Sequence, residues 1–173
     1  SINYLFLYVI IPRRSDNMSI DKVRNYFKEY NIENNIIELS TSTATVKEAA
    51  ESLSTEECRI AKTLSFIVED KPILIVVAGD AKIDNSKYKG YFHNKAKMIP
   101  YEEVNNLIGH NPGGVCPFAI NEGVEVYLDE SLKRFDVVYP ACGSSNSAIG
   151  LTIPELEEYS GSLAWVDVTK PKE

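Results

Sequence analysis

The chain is short of the residues that most often carry redox, metal or nucleophilic chemistry: three cysteines, two histidines, two methionines and one tryptophan among 173 residues. Cys58, Cys116 and Cys142 form an odd set with no CxxC pair and no ligand-like spacing to His93 and His110. Neither a disulfide framework nor a zinc site is therefore indicated, and no metal or other cofactor is expected. Cysteine usage of this kind suits a reducing, cytoplasmic setting. Long apolar runs are also lacking. The run Leu5-Phe6-Leu7-Tyr8-Val9-Ile10-Ile11 falls far short of the roughly 20 residues that cross a bilayer. It has no basic segment ahead of it, since Arg13 and Arg14 follow it, and no small-residue cleavage site, so no membrane span or secretory signal is expected. There is no internal repeat and no low-complexity linker. Basic charge is the scarcer sign, 18 Lys and Arg against 25 Asp and Glu for a net charge of −7. That argues against wholesale wrapping of nucleic acid and leaves room for a local patch that grips one end. With 44% hydrophobic residues, the chain can bury one full core, and a single domain is the default.

What the chain does have is a backbone-rich motif, His110-Asn111-Pro112-Gly113-Gly114-Val115-Cys116-Pro117-Phe118. Glycines let a ligand approach main-chain N–H groups, and flanking prolines fix φ on either side, so a preformed set of donors can meet an ester carbonyl or a developing oxyanion. The same residues also suit a tight connection between a helix and a strand.

Four motifs then occur in one order: Thr43-Ala44-Thr45-Val46-Lys47-Glu48-Ala49-Ala50, Ile60-Ala61-Lys62-Thr63-Leu64, the glycine loop, and Ala141-Cys142-Gly143-Ser144-Ser145. Their order and approximate spacing resemble the YbaK / prolyl-tRNA synthetase-associated domain family over about residues 19–168. Lys62-Thr63-Leu64 together with the glycine loop is the most specific part of the likeness. The resemblance implies a freestanding aminoacyl-tRNA deacylase that clears mischarged tRNA by hydrolysing the ester at its 3′ end. Its partners would be the tRNA acceptor end and, further, an aminoacyl-tRNA synthetase. The rival class is a module that binds aminoacyl-adenosine, tRNA or a synthetase without turnover, and fold likeness alone does not separate the two. Which amino acid, which tRNA and which oligomeric state are not legible. Residues 1–18 read as an N-terminal extension or an added segment able to supply an edge strand or a partner contact, and 19–173 as the single domain.

Periodicity predicts alternating helices and strands. Ser19 can cap a helix whose Ile20, Val23, Tyr26, Phe27 and Tyr30 recur at helical spacing, and Thr45 with Glu48 forms a capping-box pattern before a second helix. Residues 63–68 and 73–78 read as a hairpin turning at Glu69-Asp70-Lys71-Pro72. Residues 100–108 read as a helix, 124–128, 137–139 and 147–151 as strands, Thr152 with Glu155 as a helix start, and 164–168 as a closing strand. The fold class expected is α/β (α+β). It is a mixed sheet with peripheral helices, which the resemblance makes curved and partly barrel-like.

Lys62 directly precedes an apolar strand, so its ammonium can project from the strand's start and hold an anion. The matching lysine is essential for deacylation in the family. From the residues alone it reads as well as a strand-edge lysine snorkelling to water. Gly113 and Gly114 join Lys62 as the catalytic set. Thr45, Thr63, His110, Val115, Cys116, Pro117, Phe118, Gly143, Ser144 and Ser145 are assigned to the substrate. An activated aminoacyl ester needs no Ser-His-Asp triad. Cys116 as a nucleophile with His110 as its base is the alternative, though no cysteine-hydrolase motif surrounds it and free cysteines commonly pack as small hydrophobes. Some relatives carry Lys-Arg where this chain has Ser144-Ser145, which puts the mode of tRNA docking in doubt, and the serine-rich stretch also suits a plain flexible loop. Asp80 and Asp129 match recurrent family acids, with Asp129 also placed to cap the helix at 130–134. Lys82, Lys87, Lys89, Lys95 and Lys97, interleaved with Tyr88, Tyr91, Phe92 and His93, suit tRNA phosphates and unstacked bases, or form a solvated face.

Overall fold

In chain order the elements are α1 (Arg14–Lys28), β1 (Ile37–Glu38), α2 (Val46–Leu53), β2 (Ile60–Val68), β3 (Lys71–Ala78), β4 (Ala81–Ile83), α3 (Asn85–Phe92) and α4 (Val104–Ile108). They continue with β5 (Glu125–Asp129), β6 (Val137–Pro140), β7 (Ser147–Ala148), β8 (Leu151–Thr152), α5 (Ile153–Ser160), β9 (Ala164–Val166) and β10 (Thr169–Pro171). The computed structural model describes residues 14–173, with side chains from Ser19 onward. The apolar segment 5–11 and the edge strand expected from it lie outside the described residues.

The hairpin is the centre of the fold. β2 and β3 pair antiparallel from Ala61↔Ala78 to Val68↔Lys71, leaving Glu69 and Asp70 as a two-residue turn with φ of 48° and 66°. Two positive φ values match the right-handed twist of the strands. The turn is therefore tighter than the expected four residues, and Pro72 sits inside β3 opposite Ile67. Around this pair grows a six-stranded mixed sheet of order β8-β6-β2-β3-β5-β9, with β1–β7 and β4–β10 as separate two-stranded pairs. The sheet curls into a half-barrel with helices about it.

β3 is covered on both faces, which is why its sequence is a continuous apolar run. Leu74, Val76 and Ala78 meet Val23 and Phe27 of α1 together with Phe118, whereas Ile73, Ile75 and Val77 meet Phe66, Tyr88, Val166 and Val168. The Phe27 and Phe118 rings lie 4.8 Å apart, a pair of the kind that adds about 1 kcal/mol beyond area burial.

Local signals hold where a side chain can satisfy a helix end. Thr45 accepts from Glu48 N at 3.1 Å, and Thr152 and Glu155 form a reciprocal capping box at α5, each cap worth about 1 kcal/mol. Ser19 does not cap α1, because the helix begins at Arg14 and carries Ser19 in its interior. The helix expected at 100–108 is a 3₁₀ turn, Tyr101–Glu103, followed by α4. The strand expected at 147–151 breaks at Ile149-Gly150, with β7 joining β1 and β8 joining β6. The closing strand ends at Val166. Beyond it, Asp129 accepts from Val168 N and Thr169 Oγ1 as well as from Ser131 N, tying the last segment to the start of the 130–134 turn. No helix among the described residues is long and apolar enough to cross a membrane.

Candidate active site

A cavity of about 230 Å³ opens beside the start of β2, where Lys62 and Thr63 meet the start of α2 at Ala44 and Thr45, Tyr139 of β6, and the glycine loop at Pro112 and Gly113. Val115 also lines it. A second, more polar cavity of about 530 Å³ lies on the other side of the same loop, against Asn111, Gly114, Gly143, Ser144 and Ser145. Ala44, Pro112 and Gly113 border both, so the loop is a partition between two chambers.

Lys62 is the charged side chain among the described residues lining the first cavity. Its Nζ donates to Ala81 O at 2.5 Å. Burial, and the neighbouring Lys172, lower its pKa to about 8, with Asp80 acting in the opposite direction. An ammonium has three donors, so this one keeps two for an incoming anion. The Thr63 Oγ1 is buried and has no hydrogen-bond partner among the described residues. An unsatisfied buried hydroxyl typically costs about 1–3 kcal/mol, which a polar ligand would recover.

The glycine loop is shaped by close approach rather than by φ. A Cβ on Gly114 would sit 2.5 Å from Ser144 N and 2.6 Å from Gly143 C, whereas one on Gly113 would meet Ser145 Cβ at 3.4 Å. The loop thus lies flat on the 143–144 backbone. Gly143 itself, at φ +90°, presses against Ser19 O. Gly114 N donates to Asn111 O at 2.9 Å, so that N–H is used within the loop and is not the open oxyanion donor expected. On the facing wall, Thr43 N donates to Ser145 O and Asn146 Nδ2 to Leu39 O, lacing the entry to α2 onto the serine-rich segment. Ser144 Oγ lies 2.6 Å from Ser147 Oγ. Those contacts tie the serine-rich stretch to β7 and to the segment that enters α2.

Four expected substrate contacts point elsewhere. His110, Cys116, Pro117 and Phe118 are buried and line neither cavity. His110 Nε2 donates to Phe118 O at 2.7 Å, and Nδ1 therefore accepts from the Ser19 hydroxyl at 2.8 Å. Burial lowers the His110 pKa to about 4, fixing a neutral ring that staples α1 to the loop. Cys116 Sγ lies 3.5 Å from that ring, the proximity a thiol–imidazole pair would need, yet burial pushes the thiol up to about 12. A protonated, enclosed thiol is not a nucleophile. If an ester is cleaved at this site, Cys116→Ala should therefore keep the rate within about threefold of the parent while costing about 1 kcal/mol of stability for the small void, measured by turnover and by thermal melting; trapping of an acyl-thioester would overturn this.

The basic segment is also rearranged. Tyr88 is fully buried and packs with Phe92 against Phe66 and Tyr127, so these two rings serve the core instead of bases. Lys87 bonds Asp167 at 3.0 Å and Thr169 O at 3.0 Å, and Lys82 lies on β4 opposite Lys170. Lys89, Lys95 and Lys97 are exposed. None of the five lines either cavity. Asp80 pairs with both terminal nitrogens of Arg134, at 2.6 and 3.0 Å, which holds its carboxyl below the usual range. Tyr139 and Lys172, which shape the cavity and the lysine, carry no sequence signal of their own, whereas Ala44 lies within the first of the four motifs.

The model of the aminoacyl-tRNA editing domain matches residues 40–159. The uncharacterized protein YwhH of Bacillus subtilis (strain 168) is 54% identical over 154 residues, covering 88% of this chain and 98% of that protein. Proline–tRNA ligase of the same organism is 34% identical over 82 residues, 47% of this chain but 14% of the ligase. A solved structure described as a proposed trans-editing enzyme for prolyl tRNA synthetase superposes with a TM-score of 0.79 at 29% identity, covering 88% of this chain and 97% of that one.

Proposed function

This chain belongs to the aminoacyl-tRNA editing domain family, and from that premise we propose that it hydrolyses the ester of mischarged aminoacyl-tRNA in trans. The observation that carries the reading is that Lys62 and the Gly113 backbone border one cavity of amino-acid size. An aminoacyl ester is already activated, so positioning and charge stabilisation suffice. The amino acid enters between Thr45, Thr63 and Tyr139, its ester rests against Gly113, and the two unused donors of Lys62 meet the oxygen that gains negative charge in the tetrahedral intermediate. Thr63 Oγ1 gains a partner in the bound amino acid. Water is the attacking group, and no side-chain nucleophile is required. The likeness to a segment of proline–tRNA ligase supports a synthetase as a companion, since a released mischarged tRNA is that enzyme's product.

The test is a panel of correctly charged and mischarged tRNAs incubated with the full chain and scored for loss of the ester. Loss from at least one mischarged tRNA is expected. Binding of the same tRNAs without any loss would replace the hydrolase by a binding module.

Docking of the tRNA body is proposed to use the exposed lysines of the 89–97 segment. Reversing Lys89 and Lys95 to glutamate should then flatten the slope of log affinity against log salt by roughly one unit per lost phosphate contact. Turnover of a minimal aminoacyl-adenosine should survive, because phosphate contacts position the substrate. An unchanged slope on full-length tRNA would make the segment a solvated face. Lys87 is a poorer probe, because its reversal also breaks the bonds to Asp167 and Thr169 O.

A further inference from the structure

The cavity on the far side of the glycine loop has no role in the chemistry above, and its rim carries an unusual side chain. Tyr101 is 76% exposed, the most exposed of the large apolar or aromatic residues recorded at the described surface, and it stacks on no other described ring. It stands at the start of the 3₁₀ turn Tyr101–Glu103, one helical turn ahead of Asn105, and both line this cavity with Gly113, Gly114 and Ser144. The side chain of Asn105 has no hydrogen-bond partner among the described residues. An exposed ring next to an unengaged carboxamide, on the wall of a polar chamber, has the composition of a base-binding site. Aromatic faces stack any base, and an Asn amide matches the N6 donor and N7 acceptor of adenine.

Resting on the hydrolase reading, we propose that this second cavity binds the terminal adenosine of the charged tRNA, with Tyr101 stacked on the adenine and Asn105 reading its N6–N7 edge. The shared partition supplies the geometry. Because Gly113 borders both chambers, an amino acid in the first and a nucleoside in the second would place the ester that joins them across a residue with no side chain. Glu102 on the same rim repels phosphate, so a base enters here and the polynucleotide leaves on another side.

The test measures affinity of the full chain by calorimetry for a 3′-aminoacylamino-3′-deoxyadenosine, whose amide replaces the labile ester, and for the inosine counterpart. Tyr101→Ala should weaken binding roughly 10- to 100-fold, whereas Tyr101→Trp retains it. Asn105→Ala should abolish the preference for adenosine over inosine. In steady state, Tyr101→Ala should raise KM for aminoacyl-adenosine with kcat unchanged and leave hydrolysis of a simple amino-acid methyl ester as it was. Equal affinities of the parent and Tyr101→Ala for the amide analogue would overturn the subsite, even if esters are cleaved. Tyr101-dependent binding in a protein that cleaves no ester would uphold the subsite and sink the hydrolase reading. Because Tyr101 is exposed, its variants should melt with the parent.

Discussion

Replacing Lys62 by methionine should lower ester hydrolysis by about 10²–10³-fold, the loss typical when one charge-stabilising donor is removed, while moving the melting temperature by no more than a few degrees. Activity falls because the cavity loses the charge facing the ester. Stability holds because two effects oppose one another. Burial and Lys172 keep the folded pKa near 8, below the usual lysine value of 10.5. The folded chain therefore binds this proton less tightly than the unfolded chain does. The resulting penalty is fully present below about pH 8 and fades as pH rises towards the unfolded value. Lys62 is half-buried, so the penalty is only a fraction of what the shift implies for a fully buried charge. Methionine relieves it at neutral pH and forfeits the bond to Ala81 O, worth about 1 kcal/mol. If Lys62 acts as a cation, the parent rate, corrected for spontaneous hydrolysis, should also decline as pH rises through about 8. Lys62→Arg should remove that decline from the accessible range, because a guanidinium stays charged. Wild-type turnover in Lys62→Met on the best substrate of the panel would remove Lys62 from the site.

The parts of this molecule legible in the sequence are those whose causes are local. The β2–β3 hairpin follows from two runs rich in β-branched residues on either side of an acidic turn, and the caps at Thr45 and Thr152 follow from a hydroxyl three residues ahead of a glutamate. The pairing of β4 with β10 was not legible. Three-residue strands such as Ala81-Lys82-Ile83 and Thr169-Lys170-Pro171 have no period to detect, and only a distant partner makes them strands. Tyr88 and Phe92 did carry a signal: their spacing of four puts both on one face of α3 and implies packing rather than base stacking. In the site, the motifs located Lys62, Thr63 and Gly113 on one cavity, but no pattern says on which side of a loop a residue points. His110 and Cys116 come together as their spacing suggested, yet they face the core, where Phe118 O and Ser19 complete their hydrogen bonds. Tyr101 is not legible in the sequence, because a lone tyrosine ahead of two acids gives no pattern, and only its exposure beside a chamber makes it notable.

The second large effect is expected at the glycine loop, and it should fall on Gly114 rather than Gly113. Neither residue has a positive φ, so the difference is one of space. A methyl on Gly114 would be forced against Ser144 N, Gly143 C and Ser144 Cα, at 2.5, 2.6 and 2.7 Å. These are main-chain atoms that cannot swing aside as a long side chain could, and Gly143 is itself pinned against Ser19 O. The loop must lift off the 143–144 segment. Overpacking of this kind costs about 1–3 kcal/mol, only partly offset by the roughly 0.4–1 kcal/mol that losing a glycine takes from the unfolded chain's freedom. For a chain of this size that corresponds to a melting temperature lower by about 2–10 °C. Because the partition between the chambers moves with the loop, a displacement near 1 Å at the ester should lower kcat by about 100-fold. At Gly113 the added methyl meets Ser145 Cβ at 3.4 Å and Ala44 Cβ at 3.8 Å, ordinary contact distances. Gly113→Ala should therefore melt with the parent or slightly above it and raise KM without a large fall in kcat. Gly113→Val, which projects further between the chambers, should raise KM more. Calorimetric melting and steady-state hydrolysis on all three variants give the comparison, and retention of both melting temperature and rate by Gly114→Ala would mean that the loop does not rest on the 143–144 backbone in solution.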